Sequence, residues 1–122
     1  MAAAATITIQ GQISGTATGT RAVGPITLTS AAANGQVQQL VLAAGTNTIT
    51  IPTVPAPSGC IIALNPSNTS IVTLKGVAGD TGIALGKTTT TMLNWDATAV
   101  PASFVLTSVS TQTGLITEIQ FF

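Results

Sequence analysis

Few side chains in this sequence could carry out acid–base or nucleophilic chemistry. The 122 residues include three carboxylates, one cysteine and no histidine. Asp80 and Asp96 form the one conceivable acid–base pair, and nothing in their spacing indicates that they meet. Without histidine, neither a Ser–His or Cys–His nucleophile nor a His-ligated metal can form within one chain. The sequence therefore predicts a protein that is not an enzyme, with no catalytic residue, no cofactor and no metal ligand.

The tripeptide Gly86-Lys87-Thr88 matches the end of a phosphate-binding P-loop. The full motif requires a glycine five residues before Gly86, and Thr81 occupies that position. The residues after Thr88 do not indicate a helix either. We therefore expect no nucleotide site here.

The loop from Lys75 to Gly82 contains two of the six charged side chains. It has three interpretations: a tight connection capped by Asp80, a contact with another subunit, or a cation site of carboxylate and carbonyl oxygens. Trp95, the single tryptophan, is either a core or interface residue or a platform that stacks on a sugar ring. We predict Lys75, Asp80, Trp95 and Phe122 as interface residues.

The lone cysteine, Cys60, begins an apolar run that extends to Leu64. A single cysteine cannot form an internal disulfide, so the fold does not depend on oxidation. The surroundings predict a small buried hydrophobe and not a reactive thiol.

The scarcity of charge indicates how the protein exists in the cell. Charged residues make up 5% of the chain, against roughly one quarter in a typical soluble domain, and none occurs between Ala22 and Leu74. With a net charge of zero, copies do not repel one another. Three cations are too few for nucleic acid, and no apolar run is long enough to span a membrane. We expect a subunit that is packed against other subunits and assembled in a cytoplasm.

Hydrophobic alternation with a period of two dominates the pattern, as in Ile7 and Ile9 against Thr6 and Thr8. Such alternation of β-branched residues is typical of half-buried strands. Runs that are apolar at every position, such as Phe104 to Leu106, predict central strands covered on both faces. Glycine and proline interrupt the chain every eight to twelve residues or so. The predicted strands are 5–13, 21–29, 37–43, 46–51, 59–65, 70–75, 81–85, 90–95, 102–109 and 114–121.

This spacing predicts an all-β fold, an antiparallel β-sandwich or jelly roll of eight to ten short strands with almost no helix. We expect one domain over residues 1–122, with 1–5 as a candidate N-terminal arm. The proline-rich segment 52–59 predicts a stiff crossover between sheets. Phe121 shares parity with Ile119 and is expected in the core. Phe122 should then point the opposite way and require cover from a neighbour.

Part of the chain resembles a known class of proteins. The segments Asn65-Pro66-Ser67-Asn68, Ile71 to Ile83 and Pro101 to Leu106, with the aromatic C-terminal end, resemble small structural proteins encoded among the virion genes of tailed bacteriophages. The resemblance covers roughly residues 46–122. It implies a β-sandwich virion component such as a capsid decoration (cement) protein, with no catalytic residues to transfer.

The expected function is therefore a capsid decoration protein that stabilises the phage head through contacts between subunits. Its expected partners are further copies of itself, as a homotrimer, and the major capsid protein or other virion subunits, with neither nucleic acid nor membrane. Two alternatives remain open. One is a tail, fibre or head-spike component that binds a host surface or carbohydrate. The other is an ice-binding protein, although the Thr-x-Thr pairs follow no fixed period.

Overall fold

Ten β-strands make up the regular structure of the described residues. The computed structural model describes residues 5–16, 19–30, 36–53, 56–96 and 98–122, and no helix occurs within these ranges. The strands are β1 (Ala5–Thr16), β2 (Gly19–Ser30), β3 (Gln36–Leu40), β4 (Gly45–Thr50), β5 (Gly59–Ala63), β6 (Val72–Lys75), β7 (Ile83–Ala84), β8 (Thr90–Asn94), β9 (Ser103–Ser108) and β10 (Thr117–Phe121). Every predicted strand is confirmed in place. The all-β prediction is therefore correct, while residues 1–4 of the candidate arm lie outside the described ranges.

The strands β3 to β10 form a jelly roll. One four-stranded sheet has the order β3-β10-β5-β8, and the other has the order β4-β9-β6-β7. The antiparallel pairs nest within one another along the chain: β3 with β10, β4 with β9, β5 with β8 and β6 with β7. A long hairpin whose two arms pair in this way and then roll up gives two facing sheets.

The core lies between these two sheets. The central strands β5 and β9 contribute Cys60, Ile62 and Leu106, all fully buried. Strand β10 contributes Ile119 and Phe121, as their parity predicts, with the intervening Gln120 exposed. The apolar runs predicted to be central strands do occupy central positions in their sheets.

The two N-terminal strands do not join the sandwich. Strands β1 and β2 form a separate two-stranded antiparallel sheet, and neither of them pairs with another strand of the structure. Alternation of apolar and polar residues predicted the strands correctly, but alternation does not specify which sheet a strand enters. We call this element the N-terminal ribbon.

The segment between β4 and β5 crosses from one sheet to the other, as its prolines predicted. Ile51 is buried, and its N–H donates to the carbonyl oxygen of Ala102. Pro57 is buried at the far end of the segment. The crossover thus places the carbonyl groups of Pro57 and Ser58 beside the end of β8.

Asn68 fixes the connection that leads into β8. This side chain is buried, and its Nδ2 donates to the carbonyl oxygens of Ser70 and Lys87 at 3.0 and 2.7 Å. Its Oδ1 accepts a hydrogen bond from the Ser70 N–H. Because Lys87 belongs to the β7–β8 connection, these bonds hold the edge strand β8 in position.

Candidate functional site

A cleft opens where the two sheets of the jelly roll end. It takes residues from β9, β6 and the edge strand β7 of one sheet and from the edge strand β8 of the other, and its volume is about 510 Å³. Ligand sites in proteins commonly enclose roughly 300–1,000 Å³ with mostly apolar walls. The lining residues are Leu74, Lys75, Gly76, Asp80, Gly82, Ile83, Leu93, Trp95, Pro101, Ser103 and Phe104.

Three of the four predicted interface residues meet at this cleft: Lys75, Asp80 and Trp95. The apolar lining residues were not predicted as site residues. Leu74 and Phe104 were recognisable as strand residues, but their strands bring them to the cleft only once the sheets face each other. Ile83 is 69% exposed, which is unusual for an isoleucine in a strand.

Trp95 is held at the cleft by the crossover between the sheets. Its indole Nε1 donates to the carbonyl oxygen of Pro57 at 2.7 Å, and its backbone N–H donates to that of Ser58 at 3.1 Å. The ring is half-buried and packs against the core. The hydrogen-bonding capacity of the indole is thereby used inside the protein, so the ring offers the cleft an apolar surface.

The loop after β6 is closed on itself. Asp80 Oδ2 accepts a hydrogen bond from the Val77 N–H at 3.0 Å, and the Asp80 N–H donates to the Val77 carbonyl oxygen at 3.1 Å. Lys75 Nζ donates to the carbonyl oxygen of Ala78 at 3.4 Å. These contacts are those of a tight connection capped by Asp80, the first of the three interpretations of this loop.

The structure does not bring the two candidate acid–base residues together at the cleft. Asp80 lines it, whereas Asp96 is not among the lining residues. The Asp96 carboxylate accepts hydrogen bonds from the hydroxyl and the N–H of Thr98, which lower the pKa of Asp96 below its usual value. Within the described ranges, no group of three or more His, Cys, Asp or Glu side chains is arranged to hold a metal ion.

Phe122 is buried by its own chain, so it does not require the cover from a neighbouring molecule that was expected. Its side chain is 6% exposed. Strand β10 ends at Phe121, but its backbone pairing with β5 continues for one more residue. Beyond that point the Phe122 N–H donates to the Gly59 carbonyl oxygen, and the Phe122 carbonyl oxygen accepts from the N–H groups of Ser58 and Gly59. Because Gly59 has no side chain, the aromatic ring fits beside it.

The N-terminal ribbon is a second candidate site. Thr8, Gln10 and Gln12 are exposed on β1, and Ile26 on β2 is 48% exposed. An isolated two-stranded ribbon is marginally stable in water unless a further strand or surface covers it. This part of the sequence carries one charge, that of Arg21, so little in its composition opposes pairing with another chain.

Cys60 is buried in the core, as its apolar surroundings predicted. Burial raises the pKa of the Cys60 thiol from 9.0 to about 12, because desolvation disfavours the thiolate. The thiol is therefore protonated, and unreactive, at neutral pH.

The raised pKa of Cys60 predicts how stability changes at alkaline pH. Between pH 9.0 and about 12 the unfolded chain loses the thiol proton while the folded chain keeps it. The free energy of unfolding should therefore fall as pH rises through this interval, and this contribution is fully present only below pH 9.0. Urea titrations of the wild type and of Cys60→Ala should show a steeper decline with pH in the wild type. Equal slopes would show that the thiol ionises as easily in the folded protein.

No helix in the described part of the chain has the length and hydrophobicity needed to cross a membrane. Comparison with protein-family models, with curated proteins and with solved structures gave no match.

Proposed function

We propose that this protein is a non-enzymatic structural subunit of a virion, a capsid decoration protein that binds neighbouring subunits and stabilises the phage head. The single observation that carries the proposal is the N-terminal ribbon, a 24-residue pair of strands that pairs with no other strand of its own chain. An element of this kind gains stability from a neighbouring molecule.

The edges of the sandwich support the same role. Soluble proteins usually protect the edge strands of a sheet with lysine, proline or bulges, because an open edge pairs with other chains. Here all four edge strands of the two sheets, β3, β4, β7 and β8, contain neither a charged residue nor proline. A subunit whose edges are covered in an assembly needs no such protection.

The surface is suited to close packing in a shell. With no net charge, copies can approach without electrostatic repulsion. Several apolar side chains are exposed outside the cleft, including Val37, Ile71 and Val109. Ile71 and Val109 are neighbours, since the Val109 N–H donates to the Ile71 carbonyl oxygen. Exposed apolar patches of this kind commonly mark contacts between proteins.

The jelly-roll topology agrees with the proposal but does not carry it. The fold is common in viral capsid proteins and in lectins, and function depends on sites and not on the fold. The resemblance of residues 46–122 to structural proteins of tailed phages favours the virion over other assemblies. In that setting we propose a homotrimer whose further partner is the major capsid protein.

A glycan-binding role at Trp95 is the weaker candidate. Sugar sites present several polar side chains to the hydroxyl groups around one stacking ring. At this cleft the polar side chains are Lys75, Asp80 and Ser103, and the Lys75 and Asp80 groups already bond to the loop backbone. The mostly apolar walls suit a protein surface better.

The proposal predicts association that depends little on salt. In sedimentation velocity, the purified chain should form a discrete oligomer. Its association constant should change by less than about twofold between about 0.05 and 0.5 M NaCl, because uncharged contacts are not screened. A mass measurement on phage heads should find the chain in many copies, whereas a fibre component would be present in few. A chain that stays monomeric at high concentration and attaches to no particle would contradict the proposal.

A further inference from the structure

The edge strand β8 has a free side that borders the cleft. It pairs with β5 on one side, from Gly59↔Asn94 to Ala63↔Thr90, and is the last strand of its sheet. Leu93 pairs with the buried Cys60 and lines the cleft, so it faces inward. Met92, paired with Ile61, lies on the outer face of the sheet.

The cleft lies where one further strand beside β8 would lie. The opposite sheet ends at β7, which is two residues long, and its Ile83 projects beside Leu93 and Trp95 at the cleft. A strand added beside β8 would extend that sheet over the cleft. Alternate side chains of such a strand point to the same face, and on the inner face they would cover Leu93 and Ile83.

The other edges fit a new strand less well. Strand β7 pairs with β6 over only two residues, Ile83 and Ala84, so it offers a short template. Neither β3 nor β4 contributes a residue to the cleft. A strand that paired there would gain backbone hydrogen bonds but would not fill this apolar space.

Strand β1 of the N-terminal ribbon has the properties that a strand added beside β8 would need. Its sequence alternates isoleucine at positions 7, 9 and 13 with threonine or glutamine, and it contains no proline and no charge. Its partner β2 is less suitable, because Pro25 lacks an N–H and the register shifts between Ile9 and Gly11, opposite that proline. One edge of β1 pairs with β2, and no other described strand of its own chain pairs with it.

These features point to a second copy of the chain as the source of the strand. Each copy supplies both halves of the contact, an open β8 edge with its cleft and an unpaired β1 edge. Neither β1 nor β8 carries a charge, and the copies have no net charge to oppose the approach. A head-to-tail contact of this kind closes into a ring when the rotation permits, which agrees with the trimer proposed above.

We propose that β1 of one copy adds to the free edge of β8 of a second copy and places its isoleucine side chains in the cleft beside Trp95. This inference rests on the proposed function and specifies how the copies join. It assigns the cleft to a strand of the same protein and not to a small molecule.

Cross-linking between two variants, each with one introduced cysteine, tests the contact. Cys60 is buried and protonated at neutral pH, so a maleimide reacts with an introduced cysteine instead. Thr8→Cys places a thiol on the exposed side of β1, and Met92→Cys places one on the outer face of β8. When the two variants are mixed and treated with a short bismaleimide, we expect a covalent dimer that neither variant gives alone. The matched control is Thr113→Cys, at an exposed position in the connection between β9 and β10, in place of Met92→Cys.

A charge on the β8 edge gives an independent measurement. Met92→Lys should weaken association at least about tenfold, because the contact would bury an unpaired ammonium group. Thr113→Lys adds the same charge away from β8 and should leave association unchanged. Fluorescence of Trp95 should shift to shorter wavelength on association in the wild type and in Thr113→Lys, but not in Met92→Lys at the same concentration.

The outcomes separate this inference from the proposed function. Oligomers that form without a Thr8–Met92 cross-link, or that tolerate Met92→Lys, would overturn the strand addition and leave the structural role intact. A covalent dimer of Thr8→Cys alone would show that two ribbons pair with each other, which also overturns it. A monomer that attaches to phage heads overturns the contact between copies, and a monomer that attaches to none overturns both proposals.

Discussion

Replacing Phe122 by alanine is expected to lower the free energy of unfolding by about 3–5 kcal/mol. The ring is 6% exposed and lies against the backbone of Gly59. Its removal takes a large apolar group out of the core and leaves a space that the paired strands β5 and β10 cannot fill by moving together. The backbone hydrogen bonds of Phe122 to Ser58 and Gly59 do not involve the side chain and should remain.

Phe122→Leu is the matched control for this prediction. Leucine keeps most of the apolar volume, and such exchanges usually cost less than about 1.5 kcal/mol. Both variants should be unfolded in urea at two protein concentrations, so that association is separated from folding. Equal stabilities of the two variants, close to that of the wild type, would place the ring at the surface, where simple alternation along β10 would put it.

The strands of this fold could be predicted from the sequence because each signal is local. Alternating isoleucine and threonine marks half-buried strands, and the uninterrupted apolar runs at Cys60 to Leu64 and Phe104 to Leu106 mark central ones. The central strand β10 lacks such a run, since Glu118 and Gln120 alternate with its buried residues. Its central position follows from pairing with both β3 and β5, which are distant in sequence.

The candidate site was only partly predictable. Lys75, Asp80 and Trp95 were singled out because charge and tryptophan are rare in this sequence, and all three line the cleft. The cleft itself results from where two sheets end, and no local pattern encodes that. For the same reason the separation of β1 and β2 from the sandwich could not be foreseen, since their alternation is that of ordinary sandwich strands.

The cleft, the ribbon and the absence of charge gain their significance in combination. An open edge alone is common, and an apolar cleft alone suits many ligands. Here an uncharged edge strand, an apolar space beside it and an unpaired strand with alternating isoleucines occur in one chain with no net charge. The open edge of β8 needs a strand, the cleft needs apolar side chains, and β1 offers both. For this reason we infer assembly through strand addition.

Gly59→Ala is expected to destabilise the protein by about 3 kcal/mol, at the upper end of the usual cost of overpacking. A Cβ at this position would lie well inside the van der Waals contact distance of the Leu93 carbonyl oxygen and 2.7 Å from Cζ of Phe122. The oxygen belongs to the backbone of β8 and cannot move without disturbing its pairing with β5. The substitution should therefore also displace Leu93 and Trp95 at the cleft, and so weaken association together with stability.

Gly79→Ala provides the comparison, because a Cβ there has no other atom within 4 Å. Its effect should remain within about 0.5 kcal/mol, as for most surface substitutions. Urea unfolding and Trp95 emission should be measured on both variants. If Gly59→Ala lowers the free energy of unfolding no more than Gly79→Ala does, β5 and β8 are not held as close together as described. The inferred position of the β8 edge beside the cleft would then be wrong as well.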